Sequence, residues 1–526
     1  METEKRTETD STRGNVSSRT AKSFKNVVVA AIVMVVNLLL QFYTRDIFLI
    51  RLGTEVLGLN TTATSLLKFL NLAELGIGTA VAFSLYKPLF DGDRKRICEI
   101  VTLQGHLYKR IACVIIAGAV ILGCFFPWIF ADMQLPLWYA YASFGVIMIG
   151  SLLTYFVNYK EILLAADQKE YKIMYSYRLV MMSRLVAQGI CVWYLDNPYI
   201  WWLAIEGGFA ILASVSLSWM IRRTYPYLRS TPDTVAQLRR RYPTIVTKIK
   251  QVFFHKVSTY VLQYTSPLVI MAFGTLTLVA YYGNYMMIVT GIGLLLNALF
   301  NGINAGVGNL VAEGRKSHML EVFGELFAVR FLICMTCSVC MLALANLFVT
   351  VWIGAEYLLP MSTVTIISVT LFINVNRASV DSFIAAYGLY QDIWAPVTEA
   401  VLNLGLSILF GWLWGLNGIL CGVLASLMLL VFIWKPYFLF RCGFRTGIGI
   451  YVSLYLRSLL AAAAAGAVLW LLFPFLPQAP GYAGFMLTAL CVLLLYGGSL
   501  AMLMWFVTPE IRHFAMRLKS IINRKK

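Results

Sequence analysis

Residues 331–353 read FLICMTCSVCMLALANLFVTVWI, a run without one charged side chain. A spanning helix uses about 20 apolar residues to cross roughly 30 Å of hydrocarbon. The stretch is therefore a membrane span, and it is typical of the chain around it. Of 526 residues, 60% are hydrophobic and only 13% charged, where a soluble domain averages about a quarter charged. An ordinary water-soluble fold is excluded. Within the stretch, Cys334, Cys337 and Cys340 have C-x2-C-x2-C spacing, superficially that of an iron–sulfur ligand set. They lie inside an apolar helix with no fourth Cys–Pro behind them, so they read as small packing residues. The four histidines, His106, His255, His318 and His513, are scattered. No metal and no cofactor are expected.

Working outward, apolar windows separated by polar or Gly/Pro breaks predict an all-α polytopic membrane protein with about 14 transmembrane helices. The expected spans are 26–44, 58–88, 97–130, 137–162, 171–195, 199–221, 248–273, 278–312, 317–352, 361–386, 393–414, 417–440, 450–473 and 482–507. The formal charge is +18, from 43 Lys and Arg against 25 Asp and Glu. In a soluble protein that excess would point to nucleic acid. Here it follows membrane topology, because cytoplasmic loops collect Lys and Arg. With the N-terminus inside, the inner segments hold 32 basic residues and the outer loops only Arg45 and Arg51. Both termini are thus expected in the cytoplasm, with no nucleic-acid partner. The outer loops are a few residues each, apart from roughly a dozen expected between the first two spans.

Two segments recur at nearly constant offset. Gly92-Asp93-Arg94-Lys95 follows the second span, and Gly314-Arg315-Lys316 follows the eighth. Leu164-Ala165-Ala166 ends the fourth span, and Ile384-Ala385-Ala386 ends the tenth. The chain therefore reads as a cytoplasmic polar tail (1–25), a six-helix bundle (26–221), a basic cytoplasmic linker (222–247) with Arg239, Arg240 and Arg241, and a second six-helix bundle (248–445). Two extra helices and a basic tail (446–526) complete it. Six is even, so the bundles insert the same way up. That is a parallel repeat, with a site expected between the halves.

The residues Arg45-Asp46 through Arg51-Leu52-Gly53-Thr54-Glu55-Val56-Leu57-Gly58, then Leu75-Gly76-Ile77-Gly78, resemble the start of Wzx-type polysaccharide flippases. The Arg45-Asp46 pair also looks like the first-helix motif of lipid II flippases, which share the MOP superfamily with MATE drug exporters. The resemblance covers most of residues 25–445. It implies two six-helix bundles facing a central cavity, in the bacterial cytoplasmic (inner) membrane. It further implies movement of an undecaprenyl-pyrophosphate-linked oligosaccharide from the inner to the outer leaflet, for surface polysaccharide biosynthesis. Membrane lipids, a polysaccharide polymerase and export machinery are the partners implied. The last two helices are implied as a groove for the polyprenyl tail.

Polar residues at helical spacing mark a path through the spans. Asn37, Gln41 and Arg45 share a face of the first, and Thr64, Lys68 and Asn71 one of the second. His255, Thr259, Gln263 and Ser266 do so on the seventh, and Asn297, Asn301 and Asn304 on the eighth. Asn374, Arg377 and Asp381 line the tenth, and Glu399, Asn403 and Ser407 the eleventh. Interhelical hydrogen bonding explains any one stripe. Matching stripes on equivalent helices call for more, because gluing does not require symmetry.

Lys109, Arg110, Lys256, Arg330 and Arg457 stand near cytoplasmic ends and are expected to snorkel. Lys68 is different. It lies about ten residues below the expected outer end of its helix, so at about 1.5 Å per residue it is near mid-membrane. Arg377 is deep as well, one helical turn from Asp381, with which it can pair. The depths of Arg178 and Arg184 stay open. A charge at the bilayer centre costs about 2.5–3.5 kcal/mol, so buried cations must face an acid or a wet interior visited by an anion. Arg45, Lys68 and Arg377 are the expected pyrophosphate ligands, with Asn37, Gln41, Gln263, Asn297 and Asn301 around them. Asp381 and Glu399 are the candidates for a coupling ion.

Other classes fit less well. Nothing matches G-x4-G-K-[ST], so ATP is not the direct driver. Asp91-Gly92-Asp93 sits in a tight basic turn with no domain around it and reads as a solvated loop. A membrane-embedded glycosyltransferase or polymerase would need a sizeable extracytoplasmic loop. Proton- or sodium-coupled drug/cation antiport of the MATE kind would want an acidic cavity. The expectation is a transporter and not an enzyme.

Overall fold

The computed structural model describes the backbone of residues 2–313, 316–389, 392, 394–477 and 480–524. It describes the side chains of these residues except 2–32, 73, 250–251, 254–259, 262–263, 301–306, 308–309, 312–313, 316, 518 and 521–524. Gln263, Asn301, Asn304, His255, Lys256 and the second copy of the Gly-Arg-Lys turn lie outside the described residues.

Among the described residues every regular element is helical, and ten helices are long and apolar enough to cross a membrane. In chain order they and their neighbours are α1 (Glu2–Leu70), α2 (Ile77–Asp91), α3 (Arg94–Cys124), α4 (Trp138–Phe156), the short α5 (Glu161–Ala166), α6 (Leu179–Tyr194) and α7 (Pro198–Thr224). After a short helix at Val235–Arg241 come α8 (Pro243–Phe273), α9 (Leu276–Glu313), α10 (Lys316–Trp352), α11 (Met361–Asn376), α12 (Ala378–Ala386) and α13 (Trp394–Leu427). The chain ends in α14 (Gly449–Leu472), α15 (Gly481–Val492), α16 (Gly498–Val507) and α17 (Pro509–Arg524).

Helix occupies every expected span, and part of the difference between ten and fourteen lies in how the helices bend. Two of the ten are pairs of expected spans joined at sharp glycine bends, Gly53 (φ 82°, ψ 172°) in α1 and Gly415 (φ 57°, ψ −136°) in α13. Only glycine adopts such angles without strain. The expected span at 171–195 is interrupted by a π turn at Met174–Arg178. The expected span at 248–273 lies within the continuous helix α8, part of whose side chains lie outside the described residues. One expectation is overturned. There is no dozen-residue loop between the first two spans, because α1 runs through Arg45 and Arg51 and turns at Gly53 alone.

Residue contacts divide the chain into two compact units. The first comprises Met1–Gly53, Ile77–Ile116 and Gly145–Val246. In it α1 packs on α6, where Arg51 Nε donates to the Val192 carbonyl at 3.1 Å. The basic linker is docked here rather than loose. A capping box of Thr234 and Gln237 starts its short helix. At the other end of that helix, Arg241 and the Tyr242 hydroxyl grip the two oxygens of Glu99 at 2.7 and 2.6 Å. Glu99 is 3% exposed. Burial, and then the bond to Glu99, push the Tyr242 phenol above its ordinary range.

The second unit comprises Thr54–Gly76, Ala117–Phe144 and Thr247–Lys526. Its core is aromatic. On α10, Phe323 meets Phe383, Phe440 and Phe444, Phe327 packs against Tyr451 at 5.3 Å and Phe331 against Tyr455 at 5.6 Å. The two C-terminal spans are thereby built into this core. At Gly58 the backbone of Leu276 lies so close that a Cβ would stand 1.9 Å from its carbonyl oxygen.

The repeat is visible in backbone detail. At the end of α5, Lys169 N–H bonds the Leu164 carbonyl at 2.8 Å and Gln168 N–H that of Ala165 at 3.1 Å. At the end of α12, its counterpart in the repeat, Leu389 N–H bonds Ile384 at 3.0 Å and Gly388 N–H bonds Ala385 at 3.1 Å. Both are Schellman caps, with Gln168 (φ 55°) and Gly388 (φ 65°) at the left-handed position.

Candidate functional site

The buried charges fall into three groups, which differ in how they are balanced. The first lies in the second unit. Arg377, between α11 and α12, is 16% exposed and reaches Asp381 at 3.0 Å one turn on. It also reaches Glu399 of α13 at 3.5 Å. Asp381 accepts a second cation, Lys435, at 2.8 Å. Glu399 is 2% exposed. Two cations face two anions, so the group is neutral and ties three segments together. Arg377 is paired with both acids, as its four-residue spacing from Asp381 allows, and Asp381 and Glu399 are held by cations. Lys435 falls beside an expected inner loop, and its approach to an acid so far away in the chain has no local sequence signature.

The Glu399, Asn403 and Ser407 stripe lies 1–2% exposed on one face, as its spacing predicts. Its partners identify it as glue. Asn403 Nδ2 donates to Ser426 Oγ at 3.3 Å, and Ser407 Oγ to the Ile419 carbonyl at 3.1 Å, across the bend in α13. The first unit has a matching bond between α6 and α7, where Arg184 donates to Glu206, and Gln188 donates to the same carboxylate at 2.8 Å. Arg184 and Glu206 precede Asn403 and Ser426 by nearly the same offset that separates the two Schellman caps. The repeat thus keeps the pairing and changes its chemistry. Arg178 is exposed and meets Glu170 at 3.3 Å.

The second group is Lys68, in the last turn of the α1 segment that starts at Thr54. That start is earlier than expected, so Lys68 stands about fourteen residues along, roughly 21 Å from the Gly53 bend at 1.5 Å per residue. It is half-buried, with its ammonium 6.0 Å from the Tyr264 ring centroid. Among the described residues it makes no ion pair. A cation over an aromatic face is attracted by the ring quadrupole and keeps its ammonium protons available. Asn297 is exposed on α9. In the first unit, Arg45 and Asn37 are half-buried and Gln41 is exposed, on the same face of α1.

The third is Arg330, which its position in the sequence assigns to a snorkelling end. It is instead 5% exposed and lies 4.2 Å over the Phe300 ring. The available signal is spacing, since Arg330 stands three residues after Phe327 and so shares its core-facing side of the helix. Among the described residues, no three His, Cys, Asp or Glu are grouped to hold a metal.

No family model matches this chain, and no curated protein does. Solved structures do. The chain resembles the lipid II flippase MurJ in an inward closed conformation, at 14% identity and a TM-score of 0.60, over 90% of this chain and 98% of that one. It resembles an inward-facing multidrug-resistance MATE family transporter of the MOP superfamily at 13% identity and a TM-score of 0.59, over 77% of this chain and 97% of that one. The protein is a polytopic helical membrane protein with the fold these two share.

Proposed function

We propose that this chain is a flippase that moves a polyprenyl-pyrophosphate-linked oligosaccharide from the inner to the outer leaflet of a bacterial cytoplasmic membrane. It works by alternating access between two repeat-related six-helix bundles. The observation that carries the reading is Lys68, a cation deep in a membrane helix that makes no ion pair among the described residues, in contrast to Arg377 and Arg184, which are paired with acids. An ammonium held in hydrocarbon without a counter-charge costs several kcal/mol, and a pyrophosphate visiting it offsets that cost. Asn71 (8% exposed) lies on the same helix face. The fold likeness to a lipid II flippase, over nine-tenths of the chain, supports a lipid-linked substrate. The 32-to-2 bias of basic residues supports cytoplasmic termini. A cation antiporter would need available acid, whereas Asp381, Glu399 and Glu206 are each engaged by a cation.

The test is translocation of such a lipid by purified protein in proteoliposomes. Lys68→Glu should lower the rate at least tenfold, and Lys68→Arg should retain most of it, with both variants folded. Full translocation by Lys68→Glu would remove the pyrophosphate site and turn the assignment toward drug/cation antiport.

A further inference from the structure

Arg330, 5% exposed, buries a positive charge that makes no ion pair among the described residues. No carboxylate of the described residues lies within ion-pairing distance of it. Asp381, on the neighbouring α12, is occupied by Arg377 and Lys435. The guanidinium face rests on Phe300 at 4.2 Å, and Nη1 is buried without a hydrogen-bond partner. Ser379 of α12 is likewise 5% exposed, and its hydroxyl too is buried without a partner.

Arg330 and Ser379 line one small cavity. Ser382 joins them, and the walls include Phe300, Phe383 and Phe514 of α17. The cavity measures about 30 Å³. A site of roughly 10–15 Å³ already admits one water-sized occupant, so one small ion fits and a phosphate group with its oxygens does not.

The chemistry of the lining selects the occupant. A guanidinium offers donors and no acceptor, and a serine hydroxyl can donate. Water would satisfy those donors but leave the buried charge unbalanced, and an unpaired buried charge is heavily penalised. An anion meets both demands. With its face held by the phenylalanine ring, the guanidinium presents its N–H edge to whatever occupies the cavity. We infer that Arg330 and Ser379 form a binding site for one small monovalent anion of chloride size, between α10, α12 and α17, with Ser382, whose hydroxyl donates to the Ser379 carbonyl at 3.2 Å, in its wall. This site is independent of the proposed lipid pathway and has its own readout.

The experiment is thermal unfolding of the purified intact chain in detergent, at fixed sodium and ionic strength, with chloride exchanged stepwise for gluconate. Chloride should stabilise the wild type saturably. At about a hundred times its dissociation constant it lowers the unfolding constant about 100-fold. Arg330→Met fills the space without the charge and should be insensitive to chloride, and Ser379→Ala should raise the dissociation constant several-fold. Identical unfolding of the wild type in chloride and gluconate would overturn the site, as would a chloride response that persists in Arg330→Met. If Arg330→Met does not fold, crystals of the wild type in bromide decide. An anomalous peak between Arg330 and Ser379 supports the site, and its absence from that cavity overturns it.

Discussion

Replacing Arg377 with methionine would leave the buried Glu399 without a cation and Asp381 with Lys435 alone. Breaking a buried pair by removing one partner typically costs about 3–5 kcal/mol. Arg377→Met should therefore lower the yield of folded protein and its melting temperature, and Arg377→Met with Glu399→Gln should recover part of the loss. A double-mutant cycle in thermal unfolding measures the coupling. Equal, additive losses would mean the 3.5 Å contact contributes nothing. Lys68 should behave in the opposite way, losing transport and keeping stability. The contrast explains what sequence can say about individual charges. The Arg377–Asp381 pairing is legible because i and i+4 are neighbours on any helix. Lys435, and the burial of Arg330 beneath α17, are fixed by contacts between distant segments, for which spacing carries no information.

At the scale of the element, the repeat makes a prediction of opposite sign at two equivalent positions. Gln168 and Gly388 occupy the same left-handed cap, and only glycine takes those angles freely. Gln168→Gly should stabilise the first unit and Gly388→Ala destabilise the second, each by about 1 kcal/mol. Gly388 has nothing within 4 Å of where a Cβ would stand, so its effect is conformational. Unfolding temperatures of the two single variants check the signs, and a shift of like sign in both would contradict the shared cap. Gly58→Ala is a different case, since its Cβ would collide with the Leu276 backbone; overpacking of this kind costs about 1–3 kcal/mol. The repeat is readable in Leu164-Ala165-Ala166 and Ile384-Ala385-Ala386 because both copies need the same small residues before the cap. The turn at Gly53 reads as a loop for an equally local reason. Polar residues from Arg45 to Glu55 depress the mean hydropathy of a segment whose backbone bends at one residue only.

For the whole molecule, apolar patterning reveals where the helices lie and in what order, because burial in lipid imposes a minimum apolar length on each. It cannot reveal which segments gather into each unit. Contacts place 54–76 and 117–144 with 247–526, and packing of that kind depends on complementary shape between residues far apart in the chain. The proposed direction of transport is nevertheless open to a measurement on the intact protein. A pyrophosphate headgroup carries negative charge, and outward movement of each uncompensated charge across an inside-negative membrane gains about 2.3 kcal/mol per 100 mV. In proteoliposomes with a potassium diffusion potential set by valinomycin, flux toward the positive side should rise with the imposed voltage and fall when its sign is reversed. Lys68 bears on the size of the effect. If its ammonium stays in place while the lipid moves, the full headgroup charge crosses the field. If it travels with the headgroup, one charge is cancelled and the voltage dependence is correspondingly weaker. A flux indifferent to voltage in both directions would mean that a co-transported cation neutralises the headgroup.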